Sequence, residues 1–197
     1  MILSEKASKK IVSIMVTNNK IDNNLSEAYE YCIDFALDLI FFNLSLLIAG
    51  LITHNFILSV IYVFMLVPVK MLAGGAHASS PISCFILSWS IYTTCILLCH
   101  VIPDVRILNI IIYSLAGIGI CMLAPVEHKN KHYSGADRIR SKHCCTLLLV
   151  IIFILLIIMV SFHLYRYCNM IMLCSIIIFA NQIIGHLQLH FHKEGPL

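Results

Sequence analysis

The sequence predicts an all-α polytopic membrane protein, with about six transmembrane helices and an amphipathic N-terminal interfacial region. Hydrophobic residues make up 60% of the 197 residues, against about half in an average soluble domain. Charged residues make up only 12%, and the mean hydropathy is +0.92. The apolar residues fall in runs of about 20, the length that crosses a bilayer as an α-helix.

The N-terminal region, residues 1–34, is predicted to lie at the cytoplasmic membrane surface. Residues 7–16 place Lys9 and Lys10 beside five apolar residues, a pattern that suits a helix lying in the interface. A second helix is expected to start near Asn24, with Glu27 three positions later as in a capping box. No apolar core and no small-residue cleavage site follow the lysines, so we expect this region to remain on the mature protein.

Six apolar segments follow and form one predicted transmembrane domain, residues 35–187, before a cytoplasmic tail, residues 188–197. The segments are residues 35–52, 56–69, 82–102, 107–124, 147–165 and 170–187. The second segment is short, which leaves open whether it crosses completely. An acidic stripe at spacings of three and four enters the first segment, and it is expected to be solvated, to face another subunit or to pair with a basic loop. It consists of Glu27, Glu30, Asp34 and Asp38.

The positive charges predict the orientation of the chain, because cytoplasmic loops carry the excess of Lys and Arg. With the N-terminus inside, eleven basic residues lie inside, and only Arg106 and Arg166 lie outside. This places both termini and two loops, residues 70–81 and residues 125–146, in the cytoplasm. The chain also has nine cysteines, an odd number spread mostly through apolar segments, which argues against a disulfide framework.

The sixteen residues "KMLAGGAHASSPISCF", 70–85, are the main polar interruption of the apolar chain. Ser80 before Pro81 predicts the cap and first residue of a helix. Cys84 then lies in the first turn, where the positive end of the helix dipole favours a thiolate. Gly74 and Gly75 permit backbone conformations that other residues avoid. A flexible segment before the helix could therefore bring His77 against the sulfur as a general base.

Simpler interpretations of this stretch stay open. It could be only a tight turn between helices, with His77 at the interface and Cys84 in packing. A small transporter or exporter accessory, in which the glycine-rich loop is a re-entrant or hinge element, needs no covalent chemistry. The C-terminal histidines His186, His190 and His192 could suggest a metal site, but their spacing lacks a second ligand cluster, and we predict no metal or other cofactor.

"KMLAGGAHA" followed by Cys84, together with the later "APVEHKNK", resembles the accessory gene regulator B (AgrB) family over almost the whole chain. These are membrane cysteine endopeptidases that process the precursor of a cyclic quorum-sensing peptide. The resemblance implies that His77 and Cys84 are the catalytic pair. Lys70 stands where the family commonly has arginine, which keeps the charge but loses the bidentate fork.

The resemblance also implies a small precursor with an amphipathic leader, a core carrying its own cysteine or serine, and an acidic tail. Residues 127–142 carry five basic side chains against two acidic ones. Lys129 and Lys131 of this loop are predicted to attract the tail, with Lys70, Gly74, Gly75 and Ser80 shaping the site. Asp137, Asn130 and Ser80 are candidates to orient the imidazole. Small-residue patches such as "SLAGIG" suggest a homodimer in the bilayer, and no nucleic-acid partner is expected.

Overall fold

The computed structural model describes residues 2–18, 20–76, 80–103, 105–126 and 134–193; for residues 2, 3, 81 and 190–193 it describes the backbone alone. In these ranges the chain forms seven helices and no strand. They are α1 (Ile2–Thr17), α2 (Ser26–Ile52), α3 (Phe56–Ala73), α4 (Pro81–Val101), α5 (Arg106–Leu123), α6 (Gly135–Ser161) and α7 (Tyr165–Lys193). Helices α2 to α7 are each long and apolar enough to cross a membrane. The predicted fold class is therefore confirmed.

The helix ends differ from several predicted segment ends, because helix formation does not stop where the apolar run stops. Helix α2 is continuous across position 34, and it follows a short 3-10 turn, Asn23–Leu25, rather than starting at a capped Asn24. Helix α6 already begins at Gly135, inside the predicted loop 125–146, and α7 continues through the predicted tail to Lys193. The basic residues Arg138, Arg140 and Lys142 thus lie on a helix.

The second apolar segment is longer than predicted. Helix α3 has 18 residues, which corresponds to about 27 Å and nearly spans a hydrocarbon core of about 30 Å. It gains its last turn from residues 70–73, so that Lys70, predicted in a loop, lies on the helix and is half-buried. All six predicted apolar segments therefore correspond to helices that are long enough to be candidate membrane spans.

Helix α7 lies at the centre of the bundle and packs against α3, α4, α5 and α6. It buries polar side chains as well as apolar ones: Asn169, Ser175 and Gln182 have no exposed surface. The Asn109 side chain of α5 donates to Asn169 Oδ1 at 2.8 Å. Because a polar group in hydrocarbon must find its partner inside the protein, Asn169 and Gln182, whose side chains bond groups of other helices, fix how α7 packs among its neighbours.

Helix α1 lies against α2 through a stripe of Ser4, Ser8 and Val12, all nearly fully buried. The Ser4 hydroxyl is hydrogen-bonded to Asp38. Lys9 lies 2.7 Å from Glu5; this contact raises the pKa of Lys9, and Glu30 and Asp34 raise it further. Glu30, Asp34 and Asp38 of the acidic stripe therefore face α1, whereas the sequence suggested solvent, another subunit or the basic loop; Glu27 is exposed.

Gly119 of the patch "SLAGIG", which suggested self-association, serves packing within the chain, and so does Gly50 of α2. A Cβ at Gly50 would lie 2.0 Å from Ser59 Oγ, and a Cβ at Gly119 would lie 2.3 Å from the Phe179 ring. These contacts hold α2 against α3 and α5 against α7. The homodimer stays a prediction.

The two basic residues predicted outside lie together at one end of the bundle. Arg166 bonds Asn55 Oδ1 at 2.7 Å and the His100 ring, and Arg106 donates to His163 Nδ1 at 2.9 Å. Along α7, Arg166 is fifteen residues from Asn181, or about 22 Å. Because the glycine segment packs on Asn181, Arg106 and Arg166 lie at the end of the bundle opposite to it.

Candidate active site

Helix α4 begins as the sequence predicts. Ser80 is the N-cap residue and Pro81 the first helical residue. The Ser80 hydroxyl accepts from the Ser83 N–H at 3.2 Å, and the Ser83 hydroxyl accepts from the Ser80 N–H at 3.3 Å. This reciprocal capping box stabilises the N-terminus of α4, because it provides hydrogen-bond acceptors for two backbone N–H groups that have no partner within the helix.

Cys84 is the fourth residue of α4, and it presents a free, half-buried thiol. Its own N–H bonds the Ser80 carbonyl at 3.0 Å, the first i to i−4 bond of the helix. The next residue, Phe85, packs edge-on against Phe42 of α2, with ring centroids 5.7 Å apart, and lies 6.3 Å from Trp89. Cys84 therefore lies at a capped helix start, and the residue that follows it belongs to an aromatic cluster between α2 and α4.

All nine cysteines lie among the described residues, and each has a free thiol. Five of them are buried in the bundle, and only Cys84 lies at a capped helix start beside a polar segment. The buried ones are Cys95, Cys99, Cys145, Cys168 and Cys174.

The two glycines of the polar stretch have the backbone conformations predicted for them. Gly74 has φ +72° and Gly75 has φ +143°, which residues with a side chain rarely adopt. Gly74 also has no room for a side chain, because a Cβ there would lie 2.3 Å from the Val126 carbonyl oxygen. The chain thus leaves α3 in a direction that only glycine allows.

Residues 73–76 are clamped, which corrects the flexible segment expected from the sequence. Asn181 binds Ala76 on both sides: the Asn181 carbonyl accepts from the Ala76 N–H at 3.1 Å, and the Asn181 side chain donates to the Ala76 carbonyl at 3.4 Å. The Ala73 carbonyl accepts from Val126 N–H at 2.9 Å and from Gln182 Nε2 at 3.2 Å. The segment is therefore fixed up to the residue before His77.

A glycine of α7, Gly185, also allows residues 75–76 to pack closely against that helix. A Cβ at Gly185 would lie 2.7 Å from the carbonyl carbon of Gly75 and 2.8 Å from the Ala76 nitrogen. Gly185 and Asn181 are four residues apart and share one face of α7. One face of α7 thus provides both the hydrogen bonds and the space for residues 75–76.

Further contacts join this end of the bundle. The Ser141 hydroxyl of α6 donates to the Leu72 carbonyl at 2.9 Å, and His186 Nε2 donates to the Leu123 carbonyl at 3.3 Å. Gln182 Nε2 also reaches the Ile120 carbonyl at 3.4 Å. The ends of α3 and α5 are therefore both attached to α7, close to where the chain turns toward Cys84.

Sequence reasoning missed Asn181, Gln182 and Gly185 as parts of this site. Asn181 and Gln182 stood out only as polar residues near the C-terminal end of an apolar segment. The signal that could have identified them is their depth, since polar groups inside a membrane helix are costly and usually have a defined role. Gly185, one turn after Asn181, marks the same face as a place of close approach.

Several predicted site residues fall outside the described residues: His77, Lys129 and Lys131, as well as Asn130. The pairing of His77 with Cys84 and the role of the basic loop stay predictions. Two candidates for orienting the imidazole are engaged at helix starts, one as the N-cap residue and the other as the hydrogen-bond partner of an N-cap residue. Ser80 caps α4, and Asp137 Oδ2 accepts from the Ser134 hydroxyl at 2.6 Å at the start of α6.

The metal alternative gains no support where the structure can test it. Among the described side chains, no three His, Cys, Asp or Glu residues come together as a metal site.

The comparisons with known proteins give one match. A family model described as "AgrB: Accessory gene regulator B" matches residues 8–185 of the chain. No curated protein and no solved structure matches the chain.

Proposed function

The chain belongs to the accessory gene regulator B family, and from this premise we propose that it is a membrane-embedded cysteine endopeptidase that cleaves a small precursor peptide and promotes its cyclisation. Membership supports a role in the accessory gene regulator system. The observation that carries the endopeptidase proposal is Cys84 itself, a free half-buried thiol at a capped helix start. Residues 73–76, which lead directly to His77, are fixed against α7.

The proposed reaction has two acyl transfers. The Cys84 thiolate attacks the carbonyl carbon of the last residue of the precursor core. The bond between this carbon and the first nitrogen of the tail then breaks. The acidic tail leaves as an amine that takes its proton from His77, and the core remains as a thioester on Cys84. The core's own thiol or hydroxyl then gives its proton to the neutral His77 and attacks the thioester carbonyl carbon; the bond from that carbon to the Cys84 sulfur breaks, which returns the thiolate and closes a thiolactone or lactone ring.

Water competes with ring closure, because it would hydrolyse the thioester to a linear peptide. The aromatic cluster of Phe42, Phe85 and Trp89, whose member Phe85 directly follows Cys84 in α4, is the feature that supports exclusion of water. A fixed segment before His77 and a fixed helix start at Cys84 also reduce the number of geometries to be searched before attack. Both features support cyclisation over hydrolysis.

The experiment that tests this function uses the full chain in vesicles with a synthetic precursor. Mass spectrometry is expected to detect the released tail and a core lighter than the linear acid by one water, as ring closure requires. Release of the tail with only linear core would contradict the cyclisation step, and intact precursor would contradict the endopeptidase.

The basic loop is the proposed contact for the acidic tail. Replacing Lys129 and Lys131 by glutamine is expected to weaken precursor binding about two- to tenfold, since each exposed charge contributes little alone. The loss should shrink at high salt, which screens such attraction. Precursor binding to vesicles containing each variant measures this effect.

A matched control for the loop changes two other lysines. Lys6→Gln with Lys10→Gln on α1 removes the same charge, and α1 packs against α2 rather than against the α3–α7 bundle. Equal membrane insertion of both double variants, with weaker binding only in the loop variant, supports docking. If the loop variant binds the precursor as tightly as the unaltered protein, the proposed contact between the basic loop and the acidic tail is contradicted.

The orientation belongs to the same proposal: both termini and the Cys84 end face the cytoplasm. Arg106 and Arg166 lie together at the other end of the bundle, as the charge asymmetry requires. In the reducing cytoplasm Cys84 would remain a free thiol.

A further inference from the structure

A groove runs between α5 and α6 on the outer surface of the bundle, with a volume of about 490 Å³. Its α5 wall includes Tyr113, Gly117 and Cys121, and its α6 wall includes Lys142, Thr146 and Phe153. The volume falls in the range of about 300–1,000 Å³ that is usual for small-molecule sites. The groove lies away from Cys84, which does not line it.

The groove has the length of one bilayer leaflet. Lys142 lies at one end and Phe153 at the other, eleven residues along α6, or about 16 Å. This is about half of a hydrocarbon core of about 30 Å. Stacking of Tyr113 on Phe153, with centroids 5.9 Å apart, marks the deep end, and Gly117 leaves the middle open because only Tyr113 Cε1, at 4.0 Å, is near its missing side chain.

The walls are suited to hydrocarbon, because their hydroxyl groups are already bonded within the protein. Tyr113 donates to the Leu149 carbonyl at 2.7 Å, Ser114 to the Ile110 carbonyl at 2.7 Å, and Thr146 to the Lys142 carbonyl at 2.9 Å. The surface that remains for an occupant of the groove is therefore apolar. The helices around the groove also expose apolar side chains to the bilayer.

The mouth of the groove is positively charged. Lys142 is exposed, and within the part of the chain that the structure describes its ammonium has no hydrogen-bond or ion-pair partner. Arg138 and Arg140 lie on the same first turns of α6. Basic pockets between transmembrane helices at a membrane surface are known to bind anionic lipid headgroups.

We propose that this groove binds one anionic phospholipid, with an acyl chain between α5 and α6 and its phosphate against Lys142. The apolar walls, the single-leaflet length and the cation at the mouth all match this one occupant. The site is separate from Cys84, and the proposal does not depend on peptide cleavage.

The test is lipid retention by the purified full chain, measured without precursor by native mass spectrometry. Micelles contain equal amounts of phosphatidylglycerol and phosphatidylcholine with identical acyl chains. We expect about fivefold preference for phosphatidylglycerol, the effect of one basic side chain at an anionic surface. Lys142→Gln should bring the ratio near one, whereas Gly117→Leu, which fills the groove, should reduce retention of both lipids.

Matched variants separate the site from general effects. Lys10→Gln removes a lysine on α1, and Gly135→Leu adds the same side chain at a glycine with open space around it; both should retain lipid like the unaltered protein. Glycerol 3-phosphate replaces the lipid in a further arm and should not be retained, because it lacks the chain. Unchanged preference in Lys142→Gln, full retention in Gly117→Leu or retention of glycerol 3-phosphate would each overturn the proposal.

Discussion

Cys84→Ser is expected to abolish release of the tail from the precursor, with a rate loss of roughly a thousandfold or more, as removal of a catalytic nucleophile causes. A serine hydroxyl is almost the same size, so the helix start with its capping box should persist. It is a much weaker nucleophile at neutral pH than a thiolate, and the chemistry is lost while the fold remains. Mass spectrometry of the precursor after incubation in vesicles measures the loss.

Two further variants define what the result means. Cys144→Ser changes an exposed cysteine on α6 and should leave cleavage unchanged. His77→Ala should prevent formation of the acyl-enzyme, and a thioester trapped on Cys84 in that variant would remove His77 as the base. Undiminished cleavage by Cys84→Ser would contradict the endopeptidase and favour the transporter alternative.

Gly74→Ala is expected to lower both stability and cleavage. The backbone at φ +72° costs a residue with a side chain about 1–3 kcal/mol, and the added Cβ would lie 2.3 Å from the Val126 carbonyl oxygen. The carbonyl or the segment must move, which displaces the residues leading to His77. Because misplacement by about 1 Å can cost about a hundredfold in rate, cleavage should fall by roughly ten- to a hundredfold.

Gly117→Ala is the matched control, because Gly117 lies inside helix α5 with its nearest neighbour at 4.0 Å. Alanine should stabilise that helix slightly, by about 0.5–1 kcal/mol. Thermal unfolding in detergent measures stability, and tail release measures cleavage. If Gly74→Ala matches Gly117→Ala in both measurements, the clamp on residues 73–76 is not needed for function.

Local rules explain which parts of the site were predictable. Ser80 and Pro81 specify a helix start whatever surrounds them, because the cap and the missing N–H act within one turn. Gly74 and Gly75 likewise signal a special backbone within two residues. The family resemblance, which rests on "KMLAGGAHA" and Cys84, was confirmed over residues 8–185.

Contacts between distant parts of the chain were not predictable in this way. Asn181 bonds Ala76 across 105 positions of sequence, and Gln182 bonds Ala73 across 109. In the sequence both are only polar residues inside an apolar helix. The negative charge of the acidic stripe of α2 is likewise evident in the sequence. That its neighbour is α1 depends on how the two helices pack.

The sequence by itself determined that this is a six-span helical membrane protein with a capped helix start at Cys84, because bilayer length, charge placement and capping act on single segments. Only the tertiary structure decided that the glycine segment is bonded to α7, that α1 packs beside Glu30, Asp34 and Asp38, and that α5 and α6 leave a groove with Lys142 at its mouth. The physical reason is that buried polar groups must be paired and helix surfaces must fit, and both conditions depend on residues that are far apart in the chain.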